Sequence, residues 1–306
     1  MTVVPLRTRK RTHKRCLILD REQYKMPLQD LSLTEVFDDL PKISVVDIGA
    51  SALDGQPPWQ RLRDVGKASV VGFEPDAVQC ESLQKQSETF STYLPYAVGD
   101  GKPGMLNVCF APGMTSLLEP DFEVLDHFHG FSEWAKVLRR EPVATRRLDD
   151  IQEVTDIDFL KLDVQGSELS VLQGAPEKLK RTLFVQTEVQ FIPFYKQQPL
   201  FAELDQHLRE AGFLLHRFQP MISRVFKPML VNNSIYSGLS QVLWTDAVYV
   251  KRFTDFAELD SGSLLRIAFI AHELYRSFDL TILALDHIDR RDGSRRGDQY
   301  RRFFVK

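Results

Sequence analysis

From Ile43 onward, continuous apolar runs alternate with stretches whose apolar residues recur at helical spacing. The runs "SVVDIGA", "ASVVGFEP", "IDFLKLDV" and "TLFVQTEVQF" are bounded by turn residues, which predicts strands buried on both faces. Between them, "WQRLRDVG" closed by Gly66, "DAVQCESLQKQ" with Asp76 suited to its N-cap, "GSELSVLQGAPEKL" and "PLFAELDQHLREAG" predict helices. "STYLPYAVGD" and "MLNVCF" are strand-like and separated by the turn signal "DGKPG"; "FLLHRF" is a further strand, and "QVLWTDAVYVKR" predicts one returning antiparallel at the far edge. Strands joined by helices imply an α/β fold, a Rossmann-like, mostly parallel sheet covered on both faces.

The pattern also divides the chain. Residues 1–40 hold a basic, partly flexible start and the amphipathic "LSLTEVFDDL", expected to be a helix packed on the main domain. Residues 41–252 carry the alternation, interrupted by a loop-rich insertion at about 111–142. Residues 253–306 turn wholly helical and read as an appendage. Their most apolar stretch, "SLLRIAFIAHELYRSFDLTILALDHI", is broken by Arg266, His272, Glu273, Arg276 and Asp279, so it predicts buried helix and no membrane span. The stripe of Leu264, Ile267, Ala268, Ala271, Leu274 and Phe278 either packs on the domain or forms a homodimer seam.

Composition changes this picture little. A net charge of −3 over 306 residues gives no footprint of nucleic-acid or membrane binding. Basic blocks, "RTRKRTHKR" and "DRRDGSRRGDQYRR", sit near the two ends and read as solvated or disordered termini, or as docking sites for an anionic partner. Three scattered cysteines make neither a disulfide framework nor a metal-ligand spacing, which points to a reducing cytoplasm.

In such sheets ligands sit beyond the carboxyl ends of the strands. The acids there are Asp47, Glu74, Asp100, Asp163 and Glu188. A nicotinamide fold requires G-x-G-x-x-G after its first strand. Here Gly49 is followed by Ala50, Ser51, Ala52 and Leu53, and Asp47 would repel a diphosphate. A ligand carrying an ammonium and a sulfonium tolerates that acid, which favours S-adenosylmethionine. Gly49, Ala50 and Ser51 would hold its amino-acid end, with Asp47 shaping the loop. Glu74, followed by the strand-ending Pro75, stands where a carboxylate accepts both ribose hydroxyls. Ala97 and Val98 could line the adenine, and Asp100 could accept from its amine or belong to an ordinary turn.

Taken in order, "VVDIGA", "GFEPD", "YAVGDG", "RRLDDI", "FLKLDVQGSELSVLQGA" and "TEVQF" resemble the FkbM-type S-adenosylmethionine-dependent methyltransferases over roughly Ile43 to Phe213. The resemblance implies a class I methyltransferase-like fold with a seven-stranded sheet. It also implies transfer to a hydroxyl on a sugar, a glycan or a secondary metabolite, with S-adenosylhomocysteine as product. Two positions depart from the family pattern: "SALDGQPPW" replaces the usual first loop, and Gln165 replaces the usual acid in the later motif.

Methyl transfer to a hydroxyl calls for alignment and for a base within hydrogen-bond reach. Asp163, at the end of its strand, is the leading candidate, with a loop-bracing role as the alternative. Glu188 is expected to share the acceptor wall; the pair could hold Mg²⁺, for which two acids are thin support. His127 and His129 in "LDHFHGF" would face one way if extended and could act as proton acceptors. Two competing readings are a degenerate fold serving as a scaffold and a nicotinamide-dependent oxidoreductase or epimerase.

Overall fold

The computed structural model describes residues 31–50, 55–87 and 90–304; the basic N-terminal stretch and Ser51 lie outside them. In chain order the elements begin with β1 (Ile43–Ile48), α1 (Gln60–Asp64), β2 (Ala68–Phe73), α2 (Ala77–Gln86), β3 (Ser91–Leu94), β4 (Ala97–Gly99) and β5 (Pro103–Cys109). The insertion holds α3 (Phe122–Leu125) and α4 (Phe131–Trp134) and runs into β6 (Val137–Arg147). Then come β7 (Phe159–Leu162), α5 (Glu168–Gln173), α6 (Pro176–Arg181), β8 (Phe184–Gln190), α7 (Phe201–Glu210) and β9 (Phe213–Phe218). The last elements are β10 (Ile222–Arg224), β11 (Gln241–Lys251), α8 (Ser261–Tyr275), α9 (Phe278–Asp292) and α10 (Arg296–Arg301).

The main sheet runs β3-β2-β1-β7-β8-β11, with β9 and β10 both pairing β11. Strands β3 to β8 are parallel and β11 is antiparallel to β8, so this is the doubly wound, class I methyltransferase-like fold. It has eight strands where seven were expected, because the three-residue β10 joins the opening of β11. β11 is interior, not the edge: β9 pairs along its outer side.

Alternation along each strand sends neighbours to opposite faces. Val45, Phe159, Phe184 and Val248 pack with Leu62, Phe269 and Leu285 from the helices on one face. Val46, Leu160, Val185 and Tyr249 pack with α5, α6 and α7 on the other. Each fully buried large apolar side chain contributes roughly 1.5–3 kcal/mol. The C-terminal helices are therefore the cover of one sheet face. The stripe read as a homodimer seam is spent within the chain: Leu264, Ile267, Ala268 and Ala271 are fully buried.

Several local expectations are revised. The apolar stretch after Ser261 is two helices, broken where Arg276 adopts φ +51°. "GSELSVLQGAPEKL" is likewise two, parted at Gly174; a Cβ there would stand 2.1 Å from the Gly99 carbonyl oxygen. Pro95 lies between β3 and β4, which belong to different sheets. The "LSLTEVFDDL" segment forms only a 3-10 turn, Leu33–Glu35, with a Ser32/Glu35 capping box. The C-terminal basic block is folded: Arg296 pairs with Asp39 and Arg301 with Asp286. The insertion is no mere loop, since β6 pairs antiparallel with β5 and parallel with β4 in a second, three-stranded sheet. Among the described residues no helix is long and apolar enough to cross a membrane.

Candidate active site

Strands β1 and β7 pair with Asp47 opposite Lys161. Period-two alternation then puts Lys161 and Asp163 on one side, so the Lys161 ammonium lies 3.7 Å from Asp47 Oδ1 and 3.2 Å from Asp163 Oδ2. Burial works against that ammonium, but the Asp47 and Asp163 carboxylates outweigh it and hold Lys161 above the ordinary lysine range. Asp47 also accepts from Trp59 Nε1 at 2.9 Å and is 4% exposed. It is not among the residues that line the cavity, and its side chain joins β1 to Trp59 and Lys161.

The ends of β1 and β7 touch at Gly49. Its φ is +79°, and a Cβ would stand 1.8 Å from the Asp163 carbonyl oxygen. The amides of Gly49 and Ala50 both donate to the Phe73 carbonyl at 3.0 Å. They are thus committed to joining β1 with β2, which corrects the expectation that they hold a ligand's amino-acid end.

Beyond these strand ends opens a cavity of about 400 Å³. Glu74, Pro75, Ala97, Val98 and Asp163 line it together, with Gly49 at its floor. Glu74 is 8% exposed; burial pushes its carboxyl up, while the Asp76 amide donates to Oε1 at 2.9 Å. Among the described residues Oε2 takes no hydrogen bond. Asp76 caps α2, accepting from the Val78 and Gln79 amides. Sequence reasoning missed Gln79, Tyr96 and the insertion's Thr115 and Ser116, which also line the cavity. Ser116 had a local signal, a polar pair in "MTSLL", but nothing in the sequence gave its target.

Asp163 is held on two sides. Gln165 Nε2 donates to Oδ1 at 2.8 Å, opposite the Lys161 contact on Oδ2. Gln165 itself adopts φ +54°, its carbonyl accepts from Ser116 Oγ at 2.6 Å, and the Tyr195 hydroxyl reaches its Oε1 at 3.5 Å. The residue that departs from the family pattern thus ties the insertion to the Asp163 loop.

Glu168 closes the same loop. It is 1% exposed and accepts from the Val164 and Gly166 amides at 2.9 and 3.2 Å. Burial is the largest influence and raises its carboxyl from the usual 4.5 to about 7. The folded protein therefore binds this proton more readily than the unfolded chain does. The stability it contributes is complete below the ordinary glutamate range and lost as pH rises through about 7. Glu168→Gln keeps an acceptor for both amides and is expected to remove roughly 3 kcal/mol of that fall. Thermal unfolding followed at about pH 5 and about pH 8 measures it: the gap between the two narrows in the variant.

Other expected residues fall elsewhere. Glu188 faces Asp246 of β11 and accepts from Gln190 Nε2, outside the cavity lining. Burial, then Asp163, Glu168 and Asp246, raise its carboxyl well above the usual range. Asp100 is engaged by Lys102, through both backbone and ammonium, in the turn after β4. His127 and His129 lie in turns past the end of α3, on either side of Phe128, which bridges to Phe226; His127 packs edge-on with Phe226 and His129 Nε2 contacts the Met229 carbonyl at 3.1 Å. Neither histidine lines the cavity. Among the described residues no three His, Cys, Asp or Glu side chains converge as metal ligands.

An acid-tipped carboxyl edge on a doubly wound sheet suits a ligand that carries a nucleoside. A family model for the methyltransferase FkbM domain matches residues 47–215, and the chain belongs to that family. It is a methyltransferase, and S-adenosylmethionine is its cofactor; the nicotinamide and scaffold readings give way. The chain is 30% identical over 193 residues to 2-O-methyltransferase NoeI of Sinorhizobium fredii (strain NBRC 101917 / NGR234), covering 59% of this chain and 76% of that protein. Among solved structures, magnesium protoporphyrin IX methyltransferase from Synechocystis PCC 6803 with bound SAM aligns at 12% identity and TM-score 0.37, over 70% of this chain and 72% of that one. A SAM-dependent methyltransferase from Aquifex aeolicus aligns at 16% identity and TM-score 0.30, over 73% and 95%.

The cavity fits such a cofactor. Glu74 leaves one carboxylate oxygen without a hydrogen bond among the described residues, as a ligand hydroxyl would require, and the apolar Ala97 and Val98 also line the space.

Proposed function

We propose that this methyltransferase acts on a hydroxyl oxygen of a sugar, a glycan or a secondary metabolite. The observation that carries this reading is the match to a protein named as a 2-O-methyltransferase across three-quarters of that protein's length. S-adenosylmethionine supplies an electrophilic methyl when bound. Glu74 would hold the ribose, with Pro75, Ala97 and Val98 around the nucleoside. Asp163, lining the cavity beside Gly49, would orient the acceptor hydroxyl and take its proton as the new oxygen–carbon bond forms. Lys161 and Gln165 keep that carboxylate in place. Cys80 and Cys109 are buried free thiols, which supports the cytoplasmic reading.

The test is transfer from methyl-labelled S-adenosylmethionine to a panel of polyhydroxylated and amine acceptors, with product position read by mass spectrometry. Label in methyl ethers is expected. Label only on nitrogen or carbon, with S-adenosylhomocysteine still released, would overturn the oxygen assignment.

A further inference from the structure

The stretch from Met221 through β10 to the start of β11 leaves apolar side chains substantially exposed. Met221, Phe226, Met229, Leu230, Tyr236 and Leu239 are each 42–63% exposed within one short stretch. Single exposed apolar residues are ordinary; six within one short, framed stretch point to an interaction surface.

The loop is fixed in this pose. Phe226 stacks on Phe128 at 5.1 Å, and the Lys227 amide donates to the His127 carbonyl at 2.9 Å. Tyr236 stacks on Trp134 with 10° between the rings. Its apolar side chains are thus presented by a built frame.

Charge narrows the occupant. From Ala211 to Thr245 there is no Asp or Glu, although the chain has 42 among its 306 residues. The loop carries Arg224 and the exposed Lys227. Arg224 lies over the Trp244 ring at 5.2 Å and the Tyr236 ring at 5.8 Å, and its buried Nε has no hydrogen-bond partner among the described residues. Aromatic side chains with a polar tip, long cationic stems and exposed aliphatics together suit the boundary between lipid headgroups and acyl chains. A twofold contact through this patch would instead bring both copies' Arg224 and Lys227 together with no acid from either loop.

Position adds the last observation. Trp244 of β11 pairs with Gln190 at the end of β8, so the loop rises from the carboxyl edge of the sheet, the edge that carries Glu74 and Asp163. We propose that residues 221–239 form a membrane-docking surface that seats the enzyme on an anionic bilayer with its site-bearing edge toward the lipid. Docking is peripheral and reversible, and it does not depend on which acceptor is methylated.

Co-sedimentation of the full chain with sucrose-loaded vesicles tests it. Vesicles of equal parts phosphatidylcholine and phosphatidylglycerol are expected to bind the protein, less so at high salt, and pure phosphatidylcholine more weakly. Met229→Ser combined with Leu239→Ser should weaken binding roughly tenfold or more. Lys227→Glu should remove the preference for the anionic vesicles. S-adenosylhomocysteine affinity and thermal unfolding should be unchanged in both variants, because these side chains are exposed and outside the cavity. The proposal fails if the wild type stays in the supernatant with both vesicles, or if the variants sediment as it does. It also fails if sedimentation velocity without lipid shows a dimer that the double variant dissociates.

Discussion

Asp163→Asn is expected to lower kcat by roughly 10²–10⁴-fold, the range for removing a positioned proton acceptor, with S-adenosylhomocysteine bound as tightly as before. The substitution keeps the side chain's shape and its contact from Gln165. Lys161 retains Asp47 as a partner at 3.7 Å, so no buried ammonium is stranded. The counterpart is Glu74→Gln, which acts on the cofactor instead. Losing hydrogen bonds to a charged group costs about 1.5–3 kcal/mol, so the dissociation constant for S-adenosylhomocysteine should rise about 10- to 100-fold. Glu188→Gln, outside the cavity, should leave both quantities near wild type. Titration calorimetry and single-turnover methyl transfer separate the three, and full turnover in Asp163→Asn would remove that residue from the chemistry.

Gly49→Ala is expected to damage binding and stability together. The left-handed φ of +79° alone costs an alanine roughly 1–2 kcal/mol. The larger penalty is steric: 1.8 Å between a methyl carbon and the Asp163 carbonyl oxygen is no contact that atoms can make. β1 and β7 would have to part at the point where Asp163 is positioned. A loss of about 3–5 kcal/mol follows, with a melting temperature lower on the order of 10 °C. Differential scanning calorimetry on the apo protein reads the stability part. An unchanged melting temperature would mean that the two strand ends do not approach so closely.

The parallel core was legible because its signal is apolar and local. "SVVDIGA" and "FLKLDV" are strands buried on both faces, and their terminal acids landed at one edge because parallel strands end together. The Asp76 cap was legible for the same local reason. β6 was not: "VLRREPVATRR" is largely exposed, contains Pro142, and is a strand because β5 and β4 flank it, a pairing fixed far along the chain. The part Glu168 plays was not legible, because sequence gives the first helical turn but not the loop folded back over it. The two histidines were read on an extended spacing, but they lie in turns on either side of Phe128. Asp100 was read without Lys102, whose ammonium turns it away from the cavity. Gln165 in sequence was only a departure from the family pattern; in three dimensions its amide and carbonyl join two segments.

The region shared with the family, residues 47–215, stops before β11 and before α8, α9 and α10, leaving only the short α1 on that side of the sheet. A polypeptide trimmed to that homology would leave β8 and β9 without the strand that lies between them. It would also bare Phe159 and Phe184 to water and cut away the first half of β1. The evolutionary module and the smallest autonomous folding body are therefore different objects in this protein, and sequence beyond the recognisable homology is a condition of having the site at all.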